Sequence, residues 1–264
     1  MAQSIYAGVD LHKTQFTTCT YVDEAMVEAG TKYKLNDEGY NNFISFLQDL
    51  KAQYGNCPVA IAIESTANAR YFRDLMQDHG FVVVVVNTLR FKVVNLSTKK
   101  TDKNDAHTVV EFLKKDMLPQ SHLCTPYCEG LRRILKSRSL LVQDTIALKN
   151  QAHAVMLAYG HLTQKSQFQS KKGRLKTLAL LPQDIKLVLE PIFETLDAVE
   201  DQIKILERRL KALAIKDSQI QLLMTIPGVG VVNACTIKAY IDDINRFETY
   251  KNFSAFCGLV PWVQ

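Results

Sequence analysis

At 264 residues the chain is long for one domain and suits two, joined through a helical connector. Hydrophobic residues at 47% and charged residues at 22% are those of an ordinary soluble globular protein, and the longest apolar run, 81–86, is far too short to span a bilayer. The net charge of +5 is modest and becomes informative only once it is located along the chain. The cysteines at 19, 57, 124, 128, 235 and 257 follow no regular framework, which fits reduced thiols in a cytosolic protein. Cys124 and Cys128 lie beside His122, but no second Cys or His pair follows at zinc-finger spacing. The N-terminus runs directly into a strand, so no signal peptide and no membrane partner are expected.

Residues 4–10 read as a buried strand, 15–22 as a second, and 27–35 as a third pairing antiparallel with the second. Asn36-Asp37-Glu38-Gly39 supplies a helix start, after which Phe43, Phe46, Leu47 and Leu50 share one face. A fourth strand at 58–63 is followed by a helix over 68–79 that Gly80 terminates. Residues 81–86 form a fifth strand, apolar on both faces as a central parallel strand should be. Helical segments follow at about 88–97 and 104–116. The order β-β-β-α-β-α-β-α predicts an α/β fold of the ribonuclease H-like kind, a mixed sheet with helices on both sides.

From about residue 126 the texture changes. Residues 129–158 carry Leu131, Ile134, Leu135, Leu140, Leu141, Ile146 and Leu148 at helical spacing, and 160–173 is a polar break that reads as a loop. Residues 184–215 predict a second long helix with Leu187, Leu189, Ile192, Leu196, Val199, Ile203, Leu206, Leu210 and Leu213. Its steps from Ile192 onward approach a heptad seam. An antiparallel hairpin and an intermolecular coiled coil satisfy this pattern equally, and either serves dimerisation or reach. Between Arg132 and Lys176 stand ten Lys or Arg residues against one acid, Asp144, which points to a polyanion partner or to a solvated helix face. Arg132, Arg133, Lys136, Arg138, Lys171, Lys172, Arg174 and Lys176 are the candidate phosphate contacts. Further on, Pro227-Gly228-Val229-Gly230 between two apolar helical runs has the form of a helix-hairpin-helix turn. Gly228 and Gly230 would let backbone approach a phosphate; a plain tight turn is the alternative.

Four carboxylates carry the chemistry. Asp10 closes the first strand and Glu64 the fourth, so a ribonuclease H-like sheet sets them at the carboxyl ends of adjacent strands, where open α/β sheets place their ligands. Asp102 and Asp105, spaced i, i+3, fall on one face at the start of the last helix of this region, although Asp102 alone is also a plausible N-cap. Acids at such positions are costly unless a cation meets them, and divalent ions serving phosphodiester chemistry are the usual answer. Arg90, Lys92, Lys99, Lys100 and Lys103 stand nearby as backbone-neutralising or simply solvated cations. A sugar-kinase-like site would want glycine and a small hydroxyl residue after the first acid, where this chain has Leu11-His12-Lys13.

Several stretches together resemble one family. Gly8-Val9-Asp10-Leu11-His12-Lys13, Ile63-Glu64-Ser65-Thr66-Ala67-Asn68, Thr101-Asp102-Lys103-Asn104-Asp105-Ala106, Ile226-Pro227-Gly228-Val229-Gly230 and Arg246-Phe247 match in order and spacing. So does Ala255-Phe256-Cys257-Gly258-Leu259-Val260-Pro261. The chain is thereby similar to the DEDD transposases of bacterial insertion sequences that recombine DNA under the direction of a bridge RNA, a group that includes the pilin-gene invertases. The resemblance implies a RuvC-like catalytic domain over 1–125 whose Asp10, Glu64, Asp102 and Asp105 bind Mg²⁺ (or Mn²⁺). It implies a helical coiled-coil segment over 126–216 for RNA binding and assembly as a homodimer or higher homo-oligomer. From 217 to 264 it implies the start of an α-helical transposase domain. The implied partners are DNA and a structured guide RNA, in the bacterial cytoplasm. In the family a nucleophilic serine follows the Gly-Leu-x-Pro segment; no residue here matches it, Ser254 lies before the motif, and the chain is therefore expected to be a truncated one. A RuvC-type metal-dependent nuclease using water, and a non-catalytic nucleic-acid-binding remnant, are the competing readings.

Overall fold

The computed structural model describes the backbone of residues 3–66, 68–94 and 102–259, and the side chains of all these except 92–94 and 102–105. It divides into two compact units, Met1–Leu123 and Cys124–Gln264.

The first unit carries β1 (Ile5–Leu11), β2 (Gln15–Val22), β3 (Ala25–Lys34), α1 (Asp37–Gln53), β4 (Val59–Glu64), α2 (Ala69–Asp78), β5 (Val82–Val86), α3 (Thr88–Val94) and α4 (Asp102–Lys114). The strands form one mixed sheet in the order β3-β2-β1-β4-β5. β2 runs antiparallel to β1 and β3, while β1, β4 and β5 are parallel. Alternation along the strands divides the buried residues between two faces. Ile5, Ala7, Val9, Leu11, Val59, Ile61 and Ile63 pack on one face against Phe43 and Leu47 of α1 and Phe72 and Met76 of α2. Each of these large side chains is fully buried and contributes about 1.5–3 kcal/mol. On the opposite face Tyr6, Cys19 and Tyr21 meet Ala106 and Val110 of α4. Helices thus cover both faces. Asn36 starts α1 by accepting a hydrogen bond from the Gly39 N–H at 3.0 Å.

One expectation is corrected here. The fifth strand is not central but lies at the sheet edge, with Val82 59% exposed. Its outer side is covered by the segment after α4: the Asn87 N–H donates to the Pro119 carbonyl and the Ser121 N–H to the Val85 carbonyl, both at 2.7 Å. A short valine run reads as buried on both faces whether a strand or a loop flanks it, so the pattern alone could not separate the two positions.

The second unit carries α5 (Pro126–Ala158), α6 (Lys171–Ala179), α7 (Gln183–Ala214), α8 (Ser218–Met224), α9 (Val231–Ile241), a 3₁₀ turn at Ile244–Arg246 and α10 (Tyr250–Phe256). Thr125 caps α5, with Pro126 in the first turn. Leu131 and Leu135 of α5 meet Leu210 and Ala214 of α7, while Ala152 and Met156 meet Ile185 and Leu189. The two long helices are therefore an antiparallel hairpin within one chain. Leu140, Ile146 and Leu187, counted with the buried stripe from their spacing, are exposed. Leu187 lies two residues from the buried Leu189, about 200° around the helix. The polar break ends earlier than expected, because Ser170 accepts a hydrogen bond from the Gly173 N–H and starts α6 at Lys171. Ile220 of α8 and Ala234, Cys235 and Ala239 of α9 share one core with Leu131 and Leu210. α5 and α7 thus share one core with α8 and α9. Among the described residues no helix is long and apolar enough to cross a membrane.

Candidate metal centre and nucleic-acid interface

β1 and β4 run parallel with Val9 opposite Ile63, so the next residues, Asp10 and Glu64, emerge side by side at the carboxyl edge. By alternation both belong to the face that α4 covers, with Tyr6, Gly8, Ala60 and Ala62. Gly8 lets that helix come close. A Cβ there would stand 2.2 Å from the Ala106 carbonyl oxygen and 2.7 Å from Val110 Cγ2, closer than any side chain can tolerate.

The direction of α4 follows from its contacts. Near its end Lys114 sits 4.9 Å over the ring of Tyr21 and pairs with Glu24 at 2.6 Å, and Tyr21 is the cross-strand partner of Tyr6 at the start of β1. Ala106, eight residues earlier, lies against Gly8. α4 therefore runs antiparallel to β1, and its first turn is directed toward the edge where Asp10 and Glu64 stand. Asp102 and Asp105 belong to that turn, but their side chains lie outside the described residues, as do Lys92, Lys99, Lys100 and Lys103. Among the described residues no group of three or more His, Cys, Asp or Glu side chains is gathered to hold a metal ion. Two of the four expected acids are thus adjacent, and the other two are carried on a helix aimed at them. Arg90 is exposed and begins α3 by donating its backbone N–H to Asn87 Oδ1 at 3.1 Å.

Two neighbours of Asp10 were not singled out from the sequence. His12 Nε2 lies 3.1 Å from Asp10 Oδ2, and its backbone N–H donates to the Gln15 carbonyl at 2.9 Å, closing the β1–β2 turn. Its place in the Asp-Leu-His-Lys stretch was the available signal. Thr17 is the cross-strand partner of Asp10 and is 1% exposed; its hydroxyl has no hydrogen-bond partner among the described residues. Only the strand register identifies it.

The basic stretch is rearranged by folding. Arg174 is 2% exposed and forms ion pairs with Asp197 and with Glu200 at 2.7 Å, while Nη1 donates to the Phe168 carbonyl at 2.8 Å. Burial opposes its charge, yet these hydrogen bonds raise its pKa further. A guanidinium so enclosed cannot reach a phosphate, which corrects its place among the contacts. Arg138 pairs with Glu207 at 2.6 Å and Lys149 with Glu200 at 3.0 Å. Lys171 reaches Asp197 at 3.2 Å, and exposed Arg133 reaches Glu129 at 3.1 Å. Arg132 donates to the Ala239 carbonyl at 2.8 Å and lies 4.9 Å from the Tyr240 ring centroid, closing the end of α9. Lys136, Lys172 and Lys176 are exposed, with no ion pair among the described residues.

Gly228 adopts φ +84°, and Gly230 caps α9 in an extended conformation without a side chain. A Cβ on either would meet nothing within 4 Å, so the N-terminus of α9 is open to a ligand.

A model of DEDD transposases of the IS110 type matches residues 7–161, more than half the chain. The chain belongs to this family. A second model, for the IS116/IS110/IS902 transposases, matches residues 220–264 and takes in the glycine turn. The chain is 25% identical over 215 residues to a probable family 20 transposase of Pseudomonas aeruginosa, covering 77% of this chain and 62% of that protein. It is 26% identical over 213 residues to the transposase of insertion sequence element IS1328 of Yersinia enterocolitica, covering 77% and 61%. To the transposase of IS1111A of Coxiella burnetii it is 25% identical over 259 residues, covering 96% and 68%. This IS110-type chain therefore spans about three-fifths of the length of the first two relatives. Within the family match lie Asp10, Glu64, Asp102 and Asp105 together.

Proposed function

We propose that the chain supplies the metal-binding part of a DNA transposase of an insertion sequence, acting in the bacterial cytoplasm on phosphodiester bonds. The observation that carries this reading is the adjacency of Asp10 and Glu64 on parallel strand ends, on the face toward which the first turn of α4 is directed. Carboxylate oxygens on rigid strand ends suit a hard cation, Mg²⁺ or Mn²⁺, and the mixed five-stranded sheet supports a RuvC-like ribonuclease H reading. In this reading Asp10, Glu64, Asp102 and Asp105 hold the ion. Held by these carboxylates, a divalent ion would supply Lewis-acid polarisation of the scissile phosphate and would offset charge on the attacking and leaving oxygens.

The chain's own residues do the positioning. The β1–β4 pairing fixes the spacing of Asp10 and Glu64, Gly8 brings α4 close, and His12 Nε2 stands 3.1 Å from the Asp10 carboxylate. The attacking group in this reading is the family's nucleophilic serine, which no residue of this chain matches. Residues 126–216 then hold a structured guide RNA and a second copy of the chain, and residues 217–264 belong to the transposase domain. Gly228 and Gly230 present the N-terminus of α9 to a nucleic-acid phosphate, and Lys136, Lys172 and Lys176 supply exposed charge.

Calorimetric titration with Mn²⁺ tests the metal reading directly. The wild-type chain binds the ion, and Asp10→Asn weakens binding at least about tenfold. Equal binding by the variant would remove Asp10, and with it the strand-end site, from the mechanism.

A further inference from the structure

Thr17 raises a question that the four acids do not answer. It sits on β2 directly opposite Asp10 of β1, in a regular stretch of antiparallel pairing in which Gly8 faces Cys19 and Val9 faces Thr18. Cys19 and Tyr21 pack under α4 with Ala106 and Val110, so alternation gives Thr17 to the same face as Asp10. Directly paired residues of an antiparallel ladder hold their Cβ atoms about 5 Å apart, within reach of a shared ligand shell.

The residue is 1% exposed, and its hydroxyl has no hydrogen-bond partner among the described residues. Thr18 and Thr20, its neighbours on the other face, both donate to Glu28 Oε2, at 2.8 and 2.9 Å. The buried threonines of β2 are therefore not polar by accident: those facing α1 have a carboxylate acceptor in place. A buried hydroxyl is retained against valine when something requires it. α4 covers this face, meeting Cys19 and Tyr21 through Ala106 and Val110, and its first turn, which carries Asp102 and Asp105, is directed toward the edge where Asp10 stands.

We propose that Thr17 is a positioning residue of the carboxylate site, whose hydroxyl donates a hydrogen bond to a site carboxylate and fixes its orientation toward the cation. This rests on the metal reading given above. Outer-shell donors of this kind orient the ligating oxygens and influence affinity without touching the ion. Thr17 does for the α4 face what Thr18 and Thr20 do for Glu28 on the other.

The test compares Thr17→Val, which keeps shape and removes the hydroxyl, with Thr17→Ser, which keeps the hydroxyl. Mn²⁺ affinity and the electron paramagnetic resonance spectrum of bound Mn²⁺ are measured on the whole chain, together with the melting temperature of the metal-free protein. Thr17→Val should lower Mn²⁺ affinity by about tenfold and broaden the bound-ion spectrum, with a metal-free melting temperature no lower than wild type. Thr17→Ser should restore affinity and spectrum to near the wild-type values. Wild-type affinity in Thr17→Val overturns the proposal, and so does a Thr17→Ser variant as weak as Thr17→Val, which would assign the residue to packing. If the wild-type chain binds no Mn²⁺ at all, the metal reading falls and takes this inference with it. Wild-type binding with loss in Asp10→Asn but none in Thr17→Val leaves the metal reading standing and removes Thr17 alone. Pairing Thr17→Val with Asp10→Asn and with Asp105→Asn identifies the acceptor, since the two effects do not add when the hydroxyl and the acid act together.

Discussion

Asp10 and Glu64 in the sheet unit, and Arg138, Lys149 and Arg174 in the helical unit, are all charged side chains on regular elements, yet folding treats them in opposite ways. The two acids are brought next to each other at a strand edge, with α4 aimed at the same place, so like charges accumulate. The three bases are each met by an acid of α7, at Glu207, Glu200 and Asp197, so opposite charges cancel. Two acids set side by side repel each other more than they would apart, and a cation bound between them would relieve that repulsion. Cancelled charge stabilises the hairpin and leaves little for a ligand. Convergence of like charge thus marks a site more securely than a surplus counted along the sequence.

The largest effect is expected at Arg174. Replacing it with Met leaves Asp197 and Glu200 without their buried partner, although Lys149 and Lys171 still reach them. Arg174→Met should destabilise the helical unit by about 3 kcal/mol in chemical denaturation while leaving Mn²⁺ binding unchanged. Acid probes the same cluster. Burial opposes the Glu200 charge, but the Arg174 and Lys149 hydrogen bonds prevail and hold its pKa below the ordinary carboxylate value. A depressed folded-state pKa contributes stability above the unfolded pKa and loses it as pH falls through the folded one. The wild-type helical unit should therefore weaken on acidification below the usual carboxylate range, and Arg174→Met should lose much of that dependence. An unchanged denaturation midpoint in the variant would mean that the cluster is a surface feature after all.

On the sheet side the corresponding probe is Gly8. A methyl group there meets the Ala106 carbonyl, so α4 has to lift from β1. Gly8→Ala should cost about 2 kcal/mol, as overpacking usually does, and should also weaken Mn²⁺ binding because the first turn of α4 moves with the helix. A stability loss with unaltered ion binding would separate α4 from the site and restrict the glycine to packing.

The strands, the start of α1 and the position of Asp10 and Glu64 were readable in the sequence because local rules set them. A short apolar run with an acid at its end marks where the acid emerges, and Asn36 announces α1 by its own side chain. The role of Arg174 was not readable. Its partners stand 23 and 26 residues away on another helix, and a linear count of charge between 132 and 176 stops before reaching them. Thr17 was hidden for a related reason, since its pairing with Asp10 exists only once the β1–β2 register is set. The edge position of β5 depends on residues 119–121, which no period in the valine run encodes.

The smallest expected effect bears on the exposed bases that the hairpin acids do not meet. If the helical unit holds a structured RNA, its affinity should fall with salt, and each phosphate contact should contribute about 0.7–0.9 to the logarithmic slope. Lys136→Gln, Lys172→Gln and Lys176→Gln are then expected to reduce the slope by about one each and to weaken binding to a transfer-RNA-sized probe alike whatever its sequence. Arg138→Gln, whose charge is already taken by Glu207, should barely alter the slope while lowering stability by about 0–1 kcal/mol, as for a partly exposed pair. Filter binding across a salt series separates the two groups. A slope that responds to Arg138 and not to the three lysines would mean that RNA competes for the hairpin's internal pairs, and the division between cancelled and available charge would have to be redrawn.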